Sequence, residues 1–386
     1  MYIISHKTQK NKPMSQLQLQ YKDQLIDVAS KLVANGKGIL AADESVGTIG
    51  KHFASIGVEN TVENRGLWRQ ILFSSDHQWE KYISGVILYE EQLFQKVDND
   101  RNLIDYLVER DVLIGIKVDK GVRPIFGTDG ETLTEGIDGL GDRCKKYYDR
   151  GARFAKWRAV IKISKSAPTE NAIIQNAYTL ARYAIICQEN GLVPIIEPEI
   201  LADGDHDIDT CFDITKRVLS AVYYACSMQN VLLAGTLLKT SMVIPGFGNH
   251  FSNHSSNKNG IDGINAKIIA QYTVDALMST VPPAVPGIVF LSGGQSELDA
   301  TINLAECNKI CPNLPWRLSF SYGRALQKSA LTAWSGNNAN IKLAQDAWVE
   351  RAKDNYLASI GQYHNHNNNQ SGQSNSKNLH IENYIY

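Results

Sequence analysis

Lys239 closes a run, VLLAGTLLK (231–239), that is otherwise apolar or small. Burying an ammonium is costly. Either the amine surfaces at the end of a strand, or the fold keeps it dry because a neutral amine is useful. Other apolar runs carry charge in the same way. Asp43 ends GILAAD (38–43), and Lys117 lies near the end of LIGIKVD (113–119). Lys156 and Arg158 are two apart in RFAKWRAVI (153–161), and Glu197 and Glu199 are two apart in LVPIIEPEI (192–200). Residues two apart on a strand face one side, so two cations and two carboxylates can point together toward the lysine. A structural ion-pair layer would account for any one pair. It accounts less well for the whole set, because burying many charges gains little over an apolar layer.

A lysine nucleophile must be neutral, whereas the unperturbed ammonium has a pKa of ~10.4. Leu237 and Leu238 would desolvate Lys239, and Lys156 and Arg158 would supply like charge; a shift of ~3 units corresponds to about 4 kcal/mol. That is the environment of a Schiff-base lysine, with a lysine surfacing at a strand end as the alternative on this fragment alone. LSGGQS (291–296) offers the unobstructed backbone N–H groups of Gly293 and Gly294 and the hydroxyl of Ser292, and SYGR (321–324) adds Gly323 and Arg324. Both suit an anion. DESVGT (43–48) supplies Ser45 and Thr48, with Lys117 facing inward nearby. Two separated anion sites flanking one amine suggest a bisphosphate. DGDHDID (203–209) lacks the glycine and terminal glutamate of a calcium loop, so it reads as a solvated acidic loop. The nine histidines have no HExxH-type spacing, and no metal or other cofactor is expected.

The elements that must position these residues are eight short apolar runs: 38–43, 84–91, 113–119, 153–161, 192–200, 231–239, 287–294 and 316–323. Stretches with helical spacing separate them. In 171–191, Ile174, Ala177, Ala181, Ala184 and Ile185 share a face and Gly191 closes the helix. Strands alternating with helices pair in parallel through right-handed crossovers, and eight of them close a (β/α)8 TIM barrel. An open doubly wound sheet would normally carry a glycine-rich phosphate loop after its first strand, and GILAADESVGTIG matches neither common form. In a barrel, chemistry gathers at the C-terminal strand ends, and phosphate is often held after strands seven and eight. The expected organisation is one domain: an N-terminal extension (1–16), the barrel (17–362) and a flexible polar C-terminal arm (363–386) ending in NLHIENYIY. The Asn-, Ser- and Gly-rich stretch 246–263 reads as an irregular surface loop.

Composition agrees with a large core: the 386 residues are 43% hydrophobic, 20% charged and 9% aromatic. A formal net charge of -1 and the lack of a basic run exclude a nucleic-acid partner. No stretch approaches the ~18 apolar residues of a membrane span, and MYIISHKTQKNKPMSQ does not make a signal peptide. Six cysteines without paired CxxC spacing read as reduced thiols. The expected location is the cytoplasm.

Taken together, GKGILAADES, IGIKVDKG, FAKWR, VPIIEPEILADGDHD, GTLLK, VPPAVPGIVFLSGGQSE and SFSYGRALQ resemble class I fructose-bisphosphate aldolase, from about residue 17 to the final tyrosine. The resemblance implies metal-independent, reversible cleavage of fructose 1,6-bisphosphate to dihydroxyacetone phosphate and glyceraldehyde 3-phosphate. By motif it makes Lys239 the Schiff-base nucleophile, Glu197 the acid and base of carbinolamine chemistry, and Glu199 and Lys156 assistants in proton transfer. Asp43 would take the C4 hydroxyl proton, and Tyr386 would mediate protonation of the enamine. Ser292, Gly293, Gly294 and Arg324 match positions around the C1 phosphate; Ser45, Thr48 and Lys117 match those around the C6 phosphate, and Arg158 a further substrate contact. His52 follows Lys51 where the family often has arginine. The resemblance also implies a homotetramer, and aldolase-like proteins associate with actin, which implies a cytoskeletal partner. The rival readings are another Schiff-base phosphosugar lyase or transaldolase, or a non-catalytic aldolase-like scaffold.

Overall fold

The computed structural model describes residues 15–97, 100–249, 265–364 and 379–380. The eight runs form parallel strands: β1 (Gly38–Ala42), β2 (Ile83–Leu88), β3 (Leu113–Lys117), β4 (Phe154–Ile161), β5 (Val193–Ile200), β6 (Leu237–Thr240), β7 (Gly287–Phe290) and β8 (Arg317–Tyr322). Each pairs with its neighbours in sequence, and β1 pairs with β8, closing a single (β/α)8 barrel. Two short antiparallel hairpins, Lys96–Val97 with Arg101–Asn102 and Val122–Pro124 with Thr132–Thr134, lie outside the ladder.

Strand alternation divides the core. Leu40, Val86, Ile116, Trp157, Ile196, Leu238 and Phe290 point outward and pack under the helices. Ile39, Ala41, Ile87, Phe154, Val193, Ile195, Leu237 and Val289 point inward as a separate cluster. The helix Gln16–Leu32, capped by the Ser15 hydroxyl on the N–H of Gln18, closes that cluster with Leu25, Val28, Ala29 and Leu32. The barrel is therefore plugged with hydrocarbon at its N-terminal end. Two residues further along β4, β5 and β6 the inward series turns polar: Phe154 gives way to Lys156 and Arg158, Ile195 to Glu197 and Glu199, Leu237 to Lys239.

Strand β6 begins later than its apolar run implies. Leu233–Gly235 is a 3-10 turn and the strand starts at Leu237. The turn's backbone is satisfied by one side chain: Gln188 Nε2 donates to the carbonyls of Leu232 (2.8 Å) and Gly235 (3.2 Å), and its Oε1 accepts from Leu232 N–H (2.9 Å). Gly235 also lies against Leu25, whose Cβ would be 2.9 Å from a Cβ at that position. The helix Glu170–Glu189 buries Ile173, Ala177, Ala181 and Ala184, whereas Ile174, expected on the inner face, is 44% exposed. The adjacent isoleucine takes the inner place because the buried face is centred on Asn176, Leu180 and Tyr183. Gly191 follows the helix at φ +76, as a helix-terminating glycine does.

The acidic loop 203–209 is not simply solvated. Asp203 is buried and Asp207 caps the helix Ile208–Met228 through Thr210 N–H, while Gly204 O accepts from Gly248 N–H at 2.8 Å. A Cβ at Gly246 would lie 2.3 Å from Gly204 O, so close backbone contact explains that glycine. The rest of the expected surface loop, from 250 to 263, falls outside the described residues, as does most of the C-terminal arm.

Phe154 spans the barrel interior because β2 and β3 present glycines to it: a Cβ at Gly115 would be 2.2 Å from the ring, and one at Gly85 would be 3.0 Å away. Gly115→Ala should lower stability by about 1–3 kcal/mol through overpacking, read as an earlier midpoint in denaturant unfolding. An unchanged midpoint would show that the ring has room to move.

Candidate active site

Eight charged side chains are buried together at the C-terminal mouth: Lys117, Lys156, Arg158 and Lys239 with Asp43, Asp119, Glu197 and Glu199. Lys239 Nζ is 3.0 Å from Glu197 Oε1, and Lys156 Nζ is 2.6 Å from Asp43 Oδ2 and 3.6 Å from Glu197 Oε2. A continuous file thus runs Lys239–Glu197–Lys156–Asp43. Arg158 Nε donates to Glu199 Oε2, and Lys117 Nζ lies 2.6 Å from Asp119 Oδ1 and 3.0 Å from the Asp119 carbonyl. Lys156 and Arg158, expected to face Lys239 as bare like charges, are therefore each paired with a carboxylate. Charges are balanced one for one, which is what makes burial of so many affordable.

The file is asymmetric in its proton affinities. Burial pushes the Asp43 carboxyl up, but Lys156, with Lys239 and Lys117 behind it, outweighs burial and holds the group below the ordinary carboxylate range. Burial likewise works against ionised Glu199, and Arg158 holds it low. Lys156 shows the converse: burial opposes its ammonium, yet Asp43, Glu197 and Asp119 together raise its pKa above that of an ordinary lysine. Asp43 is thus a carboxylate ready to accept a proton, and Lys156 a cation that stays one. Glu197 Oε2 makes no hydrogen bond among the described residues and faces the cavity beside the Lys239 amine.

That cavity, about 500 Å³ of space between its walls, also reaches Ser292, Gly293, Ser321 and Arg324. Gly293 and Gly294 take φ of +55 and +90, conformations that glycine adopts without strain, and the turn is closed by Gln295 N–H on Ser292 O at 2.9 Å. Arg324 opens the helix Arg324–Trp334, so its guanidinium and the helix N-terminus both favour an anion. A second cavity, with about 760 Å³ of space between its walls, is lined by Ser45, Lys117, Lys120 and Arg143. Ser45 caps the helix Val46–Ala54 by accepting from Thr48 N–H at 3.3 Å, and the two hydroxyl oxygens are 3.0 Å apart. Thr48 is buried behind Ser45 and backs it.

Two side chains escaped the sequence reading. Asp119, just past β3, holds Lys117 and accepts from the backbone N–H of Gly121 (3.1 Å) and Arg158 (3.4 Å), tying one anion-site lysine to β4. The aspartate is plain in IGIKVDKG, but its partner was not. Ser321 is buried on β8 and its hydroxyl has no partner among the described residues; only strand alternation could have singled it out. His52 lines the lysine cavity. Burial lowers its pKa, and Arg324, Arg69 and Lys328 lower it further against the opposing pull of Glu44, so a neutral imidazole stands beside Arg324. Tyr386 lies outside the described residues. Among those residues no group of three His, Cys, Asp or Glu could hold a metal, and all six cysteines are free thiols.

A closed barrel with a buried, carboxylate-paired lysine at one strand end, between two loops that favour anions, has the make-up of a site for small phosphorylated compounds. Residues 24–386 match the family model described as fructose-bisphosphate aldolase class-I. The chain is 53% identical to the pea (Pisum sativum) fructose-bisphosphate aldolase, cytoplasmic isozyme 2, over 97% of this chain and all of the relative. It is 54% identical to Arabidopsis thaliana fructose-bisphosphate aldolase 4, cytosolic, over 94% and 89% of the two chains. A co-crystal structure of Plasmodium falciparum fructose-bisphosphate aldolase with TRAP and a small-molecule inhibitor superposes with a TM-score of 0.85 at 47% identity, covering 92% of this chain and 98% of that one. The chain belongs to the class I fructose-bisphosphate aldolase family.

Lys156 is what keeps Asp43 ionised. In Lys156→Met, burial should prevail and the Asp43 carboxyl should titrate higher, moving the acid limb of kcat/KM upward by about a unit or more. A pH–rate profile whose acid limb stays in place would remove Asp43 from the role of the base that sets it.

Proposed function

We propose that this chain cleaves fructose 1,6-bisphosphate reversibly to dihydroxyacetone phosphate and glyceraldehyde 3-phosphate in the cytoplasm, a step of glycolysis and gluconeogenesis, through a Schiff base on Lys239. The observation that carries the reading is the 3.0 Å contact between Lys239 Nζ and Glu197 Oε1, because it joins the nucleophile to the group able to relieve it of a proton. Glu197 takes a proton from the Lys239 ammonium, the freed amine adds to the C2 ketone, and that proton passes to the oxygen to give the hydroxyl. Glu197 then takes a second proton from the adduct nitrogen and gives it to the hydroxyl, so that water leaves and the protonated imine forms. Lys156 lies 3.6 Å from Glu197 on its other side, and Glu199, held by Arg158, completes the polar wall.

The protonated imine then serves as electron sink. Asp43 takes the C4 hydroxyl proton, the C3–C4 bond breaks, glyceraldehyde 3-phosphate departs, and the bonding pair becomes the enamine on Lys239. Tyr386 mediates protonation of the enamine carbon, and hydrolysis of the imine releases dihydroxyacetone phosphate. Ser292, Gly293, Gly294 and Arg324 hold the C1 phosphate and Ser45 and Lys117 the C6 phosphate, with Thr48, expected there as a ligand, backing Ser45 from its buried place and Arg158 as a further contact. Two phosphates pinned on opposite loops fix C2 over Lys239 and C4 over Asp43, which is catalysis by positioning. Lys117 must exchange Asp119 for phosphate, an exchange a dianion favours.

The homotetramer that the family resemblance implies is part of the same proposal, and exposed apolar groups support contact between copies. Ile174, Tyr178 and Tyr224 are exposed around a groove between the helices Glu170–Glu189 and Ile208–Met228, and Phe126 at a hairpin tip is 96% exposed. Large apolar groups so grouped mark contact surfaces.

Lys239→Met should lower kcat for fructose 1,6-bisphosphate by about 10³-fold or more, while a metal chelator leaves wild-type turnover unchanged, both measured in a coupled assay of triose phosphate release. Turnover that survives the substitution and fails with chelator would replace this reading with a metal-dependent one.

A further inference from the structure

At the seam between the first and last strands, a side chain takes over from the barrel ladder near the mouth. β1 and β8 pair through Ile39 with Ser321 and Leu40 with Tyr322, whereas β1 runs on beside β2 as far as Ala42 with Leu88. A buried carbonyl past the end of a ladder needs a donor. For Ala41 that donor is the side chain of Gln327, whose Nε2 lies 2.9 Å from the carbonyl oxygen. The same oxygen comes close to the turn after β8: a Cβ at Gly323 would be 3.3 Å from it.

Gln327 is buried, as are Glu44 and Arg69, and its amide works at both ends. Nε2 also donates to Glu44 Oε1 at 3.0 Å, while Oε1 accepts from Arg69 Nη1 at 2.8 Å and from Trp68 Nε1 at 3.3 Å. Arg69 Nη2 donates to the other Glu44 oxygen, so carboxylate, guanidinium and amide form a closed ring. A leucine would fill the space as well. What the amide adds is a tie between three segments: the end of β1 with its loop, the helix Val62–Phe73, and the helix Arg324–Trp334. A fully satisfied buried network of this kind fixes one arrangement.

The tied segments carry substrate groups. Glu44 stands between Asp43 and Ser45, and Gln327 lies one turn along the helix that Arg324 opens. Arg324 is assigned to the C1 phosphate and Ser45 to the C6 phosphate, at the ends of neighbouring strands. Asp43 has its own anchor in Lys156, at 2.6 Å. The Ser45 hydroxyl instead bonds within the helix turn that it caps, to Thr48, and moves with that turn.

We propose that Gln327 is a positioning residue for the bisphosphate: by tying Ala41 and Glu44 to the helix that begins at Arg324, it sets the span between the two phosphate sites. This deepens the reading of those sites given above and rests on it. A substrate held at both ends feels an error in the span. One held at C1 alone does not, and Asp43 keeps its place for either.

Fructose 1,6-bisphosphate and fructose 1-phosphate, the same ketose without the C6 phosphate, separate this from a role in holding the fold. Gln327→Met, which keeps the bulk and removes the amide, should lower kcat/KM for the bisphosphate about tenfold or more. It should leave kcat/KM for fructose 1-phosphate within about twofold. Glu44→Gln, whose NH2 would confront one of the two donors now bonded there, breaks the same link from the other side and should show the same selectivity, which keeps the test open if Gln327→Met does not fold. Lys117→Met, which removes an assigned C6-phosphate ligand, should cost the bisphosphate at least as much as Gln327→Met. If Lys117→Met does so while Gln327→Met and Glu44→Gln do not, the link is refuted and the phosphate sites stand. If Lys117→Met has no effect on the bisphosphate, the C6 site and the link both fall. Equal losses on the two substrates in Gln327→Met would make the amide a support of the fold as a whole and overturn the proposal.

Discussion

The structure depends on the file of alternating charge that runs from Lys239 through Glu197 and Lys156 to Asp43. Isolated in a barrel, any one of these ions would cost several kcal/mol of lost hydration; linked, each solvates the next. Such a file gains little stability over leucines. What it provides is a set of proton donors and acceptors in fixed order, with Asp43 held ionised and Lys156 held cationic by the same 2.6 Å contact. Stability comes from the hydrocarbon layer beneath it, where Phe154, Ile195 and Leu237 pack on the helix Gln16–Leu32.

That division is a property of the strands themselves. A period of two carries β4 from Phe154 to Lys156 to Arg158, and β5 from Ile195 to Glu197 to Glu199, without any change of face. Apolar plug and polar site are successive layers of the same inward series. A register slip of one residue would invert both at once, so the requirement to bury the plug also aims the charged side chains of the mouth. The loops then add what strands supply poorly: backbone N–H groups at Gly293 and Gly294, and helix N-termini beside Ser45 and Arg324.

Strand order and the inward residues of β1, β3, β4, β5 and β6 were legible in the sequence because charge in an apolar run at spacing two leaves few alternatives. The chemistry was legible through motif resemblance. The start of β6 was not, since VLLAG has strand composition and only the distant Gln188 makes a turn of it. Ile174 and Ile173 are equally apolar, and which faces inward depends on the phase set by Tyr183, whose hydroxyl reaches the carbonyls of Ala155 and Ile195. The pairing of Lys156 with Asp43, like that of Lys117 with Asp119, is also invisible in one dimension: sequence shows the cations but not that each is already matched. The acidic stretch at 203 looked like solvated surface because its partner His380 is 177 residues away.

The central claim is that the Lys239 amine bonds covalently to the substrate ketone. Incubation with dihydroxyacetone phosphate followed by borohydride reduction and peptide mass mapping should leave a stable secondary amine on Lys239 and none in the Lys239→Met protein. Reduction that traps no adduct, or traps it on Lys156 or Lys117, would contradict the account.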